Sequence, residues 1–375
     1  MTVETILADL VAVPSLPGTP NRVMTECLRD HLPGVQVTEI PGPEGDRVNL
    51  FATLGPRDVP GYILSGHSDV VPVEGQDWTT DPFRLNRNGD RLTGRGTSDM
   101  KGFLACALSM VPEFAAMKLR RPVHLAFSYD EEIGCRGVGP MIAELPRLCA
   151  PPLGCIVGEP SDMRPVLSHK GKQAIRVVIE GQAGHSSNPA LGANALYPAG
   201  ELLVWLRDRA LRLAAEGPYD PRFDPPHSTL QAGVIRGGSA VNIIPDRVAL
   251  DIEVRAIPEQ PAEGVTAEIL ARLATLAQGR IRVSSEILAG YPALPPDDTS
   301  PLPGLLERLT CTAPLQSVSY GTEAGLFHAA GIPAIICGPG SITRAHRADE
   351  FILDGELEDC RRMLRGLSAE LTSSA

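Results

Sequence analysis

Imidazoles and carboxylates recur along the chain in short, separated motifs. They are His67 and Asp69 in Gly66-His67-Ser68-Asp69-Val70-Val71-Pro72, Asp99 in Gly94-Arg95-Gly96-Thr97-Ser98-Asp99-Met100-Lys101-Gly102, Glu131 and Glu132 in Asp130-Glu131-Glu132-Ile133-Gly134, Glu159 in Gly158-Glu159-Pro160, and His346 after Ala345. Neutral imidazole binds zinc through one ring nitrogen, and a nearby carboxylate such as Asp69 can take the other N–H, fixing tautomer and ring orientation. Two histidines with three carboxylates can hold two metals if one carboxylate bridges, which suits ions about 3.5 to 4 Å apart. Asp99, between glycines at a tight turn, is the natural bridge. Oxygen and nitrogen donors without thiolate suit two Zn2+ ions, with Co2+ or Mn2+ as substitutes. Such a pair lowers the pKa of a shared water to about 7, and a base must then take its proton. Adjacent side chains of extended backbone point opposite ways, so Glu131 is free for that task if Glu132 faces a metal.

These motifs need elements to bring them together. Apolar runs at 62–64, 123–128, 155–157 and 334–337 read as strands, separated by segments of helical period such as 103–116 and 141–148. Alternating strands and helices imply an α/β fold, a mostly parallel sheet flanked by helices. Directly after the four runs come His67 with Asp69, Glu131 with Glu132, Glu159, and the loop leading to His346. In an open α/β sheet, ligands collect beyond the carboxyl ends of the strands. Near the start, Ile6, Leu7, Leu10 and Val11 mark a short helix, and Thr19-Pro20 reads as N-cap and first turn of a second.

From about 171 to 284 the pattern changes to β-α-β-β-α-β, which needs one sheet with two helices on one face. This predicts an inserted α+β domain of ferredoxin-like order, with 1–170 and 285–375 forming the metal-binding domain. Val248, Leu250, Ile252 and Val254 alternate with polar and small neighbours, so that strand has one wet face.

With 375 residues and 43% hydrophobic composition, the chain can bury a large core and two domains are expected. A formal charge of -11 argues against nucleic acid or an anionic membrane surface as partner. No apolar run approaches the roughly 20 residues that span a bilayer, and Met1–Ile6 lacks the basic start of a signal peptide. A soluble, cytoplasmic protein is expected. Its eight cysteines contain no C-x-x-C pair, which fits reduced core thiols; Cys135 alone sits near a candidate ligand.

Taken together, the five motifs resemble the signatures of the di-zinc family that includes acetylornithine deacetylases, succinyl-diaminopimelate desuccinylases, aminoacylases and glutamate carboxypeptidases. The resemblance covers essentially the whole chain. It implies His67, Asp99 and Glu159 on one zinc, His346, Asp99 and Glu132 on the other, Glu131 as general base, a cis peptide after Asp99, and an inserted lid or dimerisation domain making a homodimer. It also implies that His185, in Gly184-His185-Ser186-Ser187, stabilises an oxyanion, and that Asn242 and Arg255 grip a substrate carboxylate.

Within the family, Tyr320-Gly321-Thr322-Glu323-Ala324 and Ala345-His346-Arg347-Ala348-Asp349-Glu350 resemble the acetylornithine deacetylase branch, although Gly321 stands where several of those enzymes carry cysteine. The substrate implied is a small N-acyl amino acid, N2-acetyl-L-ornithine, hydrolysed to L-ornithine and acetate for arginine biosynthesis. Glu323 is expected to sense the cationic side chain of that substrate. A sister deacylase or dipeptidase keeps every metal residue and differs in its pocket; a metal-binding scaffold without activity is the rival from another class.

Overall fold

In the computed structural model, residues 1–372 are described. The chain divides into two compact units, one of Met1–Ser168, Leu294–Ser317 and the chain from Thr322 on, the other of His169–Ala293 with Val318–Gly321.

The first unit is a mixed α/β layer structure around a six-stranded sheet, ordered Gln36–Pro41, Val48–Leu54, Val123–Ser128, Tyr62–His67, Gly154–Pro160, Ala334–Gly338. The last four run parallel and the first two are antiparallel additions at one edge. The three strands that deliver candidate ligands are buried at every position, as parallel strands covered on both faces must be. Helix Lys101–Ser109 is likewise buried all round, packed on the strand Tyr62–His67 and flanked by helices Val3–Val11 and Asp354–Thr372. Two glycines let it lie directly on the sheet: a Cβ at Gly66 would meet Met100 Cε at 2.6 Å, and one at Gly158 would meet the Phe103 ring at 2.0 Å.

Two helix boundaries differ from the sequence expectation. The helix expected from Thr19-Pro20 begins at Arg22, because the Asn21 side chain is committed to the strand beside it: its Nδ2 donates to Val48 O and its Oδ1 accepts from Val48 N. The segment 103–116 is two helices, Lys101–Ser109 and Val111–Ala116, parted at Met110 because Pro112 cannot continue an N–H ladder and instead takes a first-turn position.

The second unit is a four-stranded antiparallel sheet ordered Arg282–Tyr291, Gly171–Glu180, Arg247–Ala256, Thr229–Gly237, with helices Leu196–Glu216 and Ala262–Thr275. Numbered along the chain, its strands lie fourth, first, third, second, the order of a ferredoxin-like fold. Ile175, Val177, Ile179, Val248, Leu250, Ile252 and Val254 alternate into a core under both helices. The last strand continues past 284 to Tyr291, because it pairs with nearly the full length of Gly171–Glu180. Among the described residues no helix is long and apolar enough to cross a membrane.

Candidate metal centre

His67 is the last residue of its buried strand and is only 1% exposed. Its Nδ1 lies 2.9 Å from the backbone oxygen of Asp69, with the Asp69 carboxylate farther, at 3.6 Å. The backbone carbonyl therefore fixes the tautomer, and the Asp69 carboxylate does something else: Oδ1 accepts from the Glu131 N–H and Oδ2 from the Glu132 N–H. This anchors the turn after the strand Val123–Ser128. Asp130, at φ 54°, starts that turn and is held by Gly18 N–H and the Arg47 guanidinium. Glu131 and Glu132 lie past the end of that strand, where Gly134 N–H and Cys135 N–H turn back onto Glu131 O, so strand alternation does not decide which way they face. Each lies within reach of His67, Glu131 in a group with Glu159 and Glu132 in a group with Asp99.

Asp99 occupies the middle. Its Oδ1 is 3.0 Å from His67 Nε2 and its Oδ2 is 3.3 Å from His346 Nε2. Glu159 Oε1 stands 3.7 Å from His67 Nε2, and Glu132 Oε2 stands 3.0 Å from His346 Nε2. The Asp99–Met100 peptide is cis. His346, at φ 60°, comes from a loop and its side chain is 54% exposed, so one side of the cluster is deeply buried and the other opens outward.

Electrostatics follow from crowding carboxylates in a buried site. Burial, then repulsion from Asp99, pushes Glu132 up to about 7 and raises Glu159 well above the carboxylate range. Burial pushes Glu131 up to about 8, with repulsion from Glu132, Glu323 and Asp99 adding to it. Burial opposes ionisation of Asp99 too, but hydrogen bonds from His346 and His67 hold it below its ordinary value. Hydrogen bonds to Asp99 and Glu132 raise His346 to about 10. Such a cluster is costly unless cations compensate it. The Glu132 Oε1 atom is buried without a hydrogen-bond partner among the described residues, a donor atom left for a ligand. Donor set and geometry both fit divalent ions, with each oxygen of Asp99 facing a different histidine.

Residues 63–370 match the sequence profile of Peptidase family M20/M25/M40. The chain belongs to this family. Acetylornithine deacetylase of Klebsiella pneumoniae is 33% identical over 380 residues, covering 96% of this chain and 95% of that one. Among solved structures, the M20 family metallo-carboxypeptidase Sso-CP2 from Sulfolobus solfataricus superposes with a TM-score of 0.79 at 18% identity, covering 97% of this chain and 98% of that one. A dinuclear metal binding peptidase from M20 family of Bacillus subtilis gives a TM-score of 0.63 at 16% identity, covering 99% and 97%. As a member of M20/M25/M40 the chain is a hydrolase, with candidate metal-binding residues clustered where its strands end.

The other sequence candidates are outside the ligand groups, although Glu323 is close enough to the cluster to feel His67 and to repel Glu131. Glu323 is in the first unit, 1% exposed, with Oε2 3.5 Å from Ser65 Oγ and Oε1 unpartnered among the described residues. Burial pushes it up to about 7. Buried in this way, it presents no exposed wall to a substrate. His185, Asn242 and Arg255 belong to the second unit. His185 is exposed, its Nδ1 2.7 Å from Ser187 Oγ, and Ser186 N–H donates to Asn242 O, so these two share a loop cluster. Arg255 pairs with Glu253 at 2.8 Å.

The sequence singles out Cys135 but assigns no role to it or to the other residues packed around the ligands. Cys135 donates its thiol to Glu131 Oε1 at 3.2 Å, for which adjacency was the one signal. Gln76, Arg95 and Glu350 give no pattern of their own, although Arg95 and Glu350 lie within the quoted motifs.

Proposed function

We propose that this chain is a zinc-dependent deacetylase that hydrolyses N2-acetyl-L-ornithine to L-ornithine and acetate, a step toward arginine. The observation that carries the hydrolase chemistry is Asp99, whose two oxygens face His67 and His346 separately. His67, Asp99 and Glu159 hold one Zn2+ in this reading, and His346, Asp99 and Glu132 the other, with Co2+ or Mn2+ able to replace them. When bound, the ions polarise the acyl carbonyl and make water acidic enough to lose a proton near neutral pH.

The protein's own groups do the rest. Glu131 takes the proton of the attacking water and returns it to the leaving amine nitrogen, turning base into acid. Asp69 holds Glu131 and Glu132 in place through their backbone amides. His185 donates to the oxyanion as negative charge develops, and Asn242 and Arg255 bind the substrate carboxylate, the guanidinium offering a planar fork. Glu323 senses the ornithine ammonium.

The acetylornithine assignment is supported by a 33% identical relative of that name aligned over 96% of the chain. Likeness to a metallo-carboxypeptidase keeps a second reading, a sister deacylase or dipeptidase. A substrate panel decides: N2-acetylornithine should exceed N-acetylmethionine, N-succinyl-diaminopimelate and dipeptides in kcat/KM by at least about tenfold, roughly 1.4 kcal/mol. Preference for any other member of the panel refutes the assignment.

A homodimer through 171–284 is part of the proposal. The edge strand Thr229–Gly237 supports it, since among the described residues it pairs on one side only and Val234 and Ile235 are exposed there.

A further inference from the structure

The two histidines of the cluster are held very differently. His67 ends a buried strand, whereas His346 sits in a loop at positive φ with more than half of its side chain exposed. Something other than a ladder must hold the backbone of His346 at the right distance from Asp99.

A buried ion pair lies where that support is needed. Arg95 and Glu350 are each 1% exposed and meet at 2.7 Å through Arg95 Nη1 and Glu350 Oε2. The other carboxylate oxygen, Oε1, accepts from two successive amides, Ser98 N–H at 2.9 Å and Asp99 N–H at 3.0 Å. Glu350 O also accepts from Gly94 N–H at 2.9 Å. On the opposite side, Arg95 Nη1 donates to Arg347 O at 3.2 Å and Nη2 donates to Gln76 Oε1. Gln76 in turn donates from Nε2 to His346 O at 3.0 Å. Trp78 closes the arrangement, its ring 5.0 Å from the guanidinium carbon and its Nε1–H on Gln76 Oε1.

An unbroken chain of bonds therefore runs from the amide of Asp99 through Glu350, Arg95 and Gln76 to the carbonyl of His346. We propose that Arg95 and Glu350 are positioning residues, a buried pair that sets the gap between Asp99 and His346 and thereby the affinity of the His346–Asp99–Glu132 side for its divalent ion. This rests on reading the cluster as a two-ion centre. A buried pair contributes little net stability against apolar replacement, so its value here is geometric. The planar fork matters because Arg95 must reach a carboxylate, a carbonyl and an amide oxygen together.

The test is stepwise titration of Zn2+ into the metal-stripped protein by calorimetry, with metal content and thermal unfolding measured in parallel. Wild type should take up two ions in resolvable steps, the tighter at the buried His67 side. Glu350→Gln should weaken the second step about 10- to 100-fold, as loss of outer supports to metal ligands typically does, and Arg95→Lys, which keeps the charge but loses the fork, should weaken it as well. Gln76→Ala, at a half-buried and uncharged site, should weaken the second step about tenfold while unfolding as cooperatively as wild type. If Glu350→Gln does not fold, Gln76→Ala decides alone. A second step within twofold of wild type in a folded variant overturns the positioning role, even where the melting temperature falls. A wild-type protein that binds fewer than two ions instead overturns the two-ion reading, and this inference with it.

Discussion

Glu131 and Glu132 are neighbours in sequence with the same side chain, and their contacts separate their roles. Glu132 engages His346 at 3.0 Å, while Glu131 has Cys135 as its hydrogen-bond partner. A base that is not spent on a histidine can move a proton. Glu131→Gln should lower kcat by roughly 10²- to 10⁴-fold, the usual worth of a general base, with two equivalents of metal retained. Metal analysis of the purified variant beside its turnover checks this; undiminished turnover would refute the assignment. Glu323 calls for a different comparison, because it is buried below Ser65 and not on an open wall. If it senses a cation, Glu323→Gln should reduce kcat/KM for acetylornithine about tenfold more than for acetylmethionine. Equal losses on both substrates would make it a support of the strand ends instead.

At the scale of elements, strand ends decide what is legible. His67, Glu131, Glu132 and Glu159 could be placed at one rim because each follows an apolar run in a parallel sheet, and that relation is written in the chain itself. The bracing residues could not, since Gln76, Arg95 and Glu350 meet across 250 or more residues of sequence or through a loop, with no periodicity to announce it. Likewise Asn21 and Pro112 override local helix signals through a tertiary hydrogen bond and a missing N–H. The strands carry one further consequence. His124 lies inside Val123–Ser128, fully buried, with Nδ1 3.0 Å from Thr53 Oγ1 and its ring stacked on Phe51 at 5.1 Å. Burial, aided by Arg57, lowers its pKa from 6.5 to about 4. The unfolded chain therefore binds the extra proton between those values, so the stability due to neutral His124 is complete above pH 6.5 and is lost as pH falls toward 4. The full loss amounts to roughly 3 kcal/mol. Denaturant midpoints measured across this window should fall with acidity, and His124→Asn should flatten that slope; an unchanged slope would show that the histidine is not held neutral.

For the whole molecule, the candidate metal centre and the proposed dimer edge lie in different units. Every candidate ligand lies in the first unit, so chelation followed by desalting should abolish turnover, and Zn2+, Co2+ or Mn2+ should restore it. Activity that survives complete removal of metal would refute the metal chemistry. The proposed assembly instead draws on the second unit, whose strand Thr229–Gly237 is exposed over most of its length at the rim of its sheet. Val234, Ile235, Tyr197, Val204 and Leu211 add exposed apolar surface on that strand and on the helix Leu196–Glu216. An edge left open in this way templates pairing with another strand, and a stable pair needs about 1,200 to 2,000 Å² buried in total. Ile235→Lys places a charge on the edge, a device by which natural sheets prevent such pairing. Sedimentation at micromolar concentration should therefore give dimers for wild type and monomers for Ile235→Lys, with zinc content unchanged because no ligand is touched. A monomeric wild type would remove the dimer from the proposal, and an Ile235→Lys dimer would move the interface off this edge.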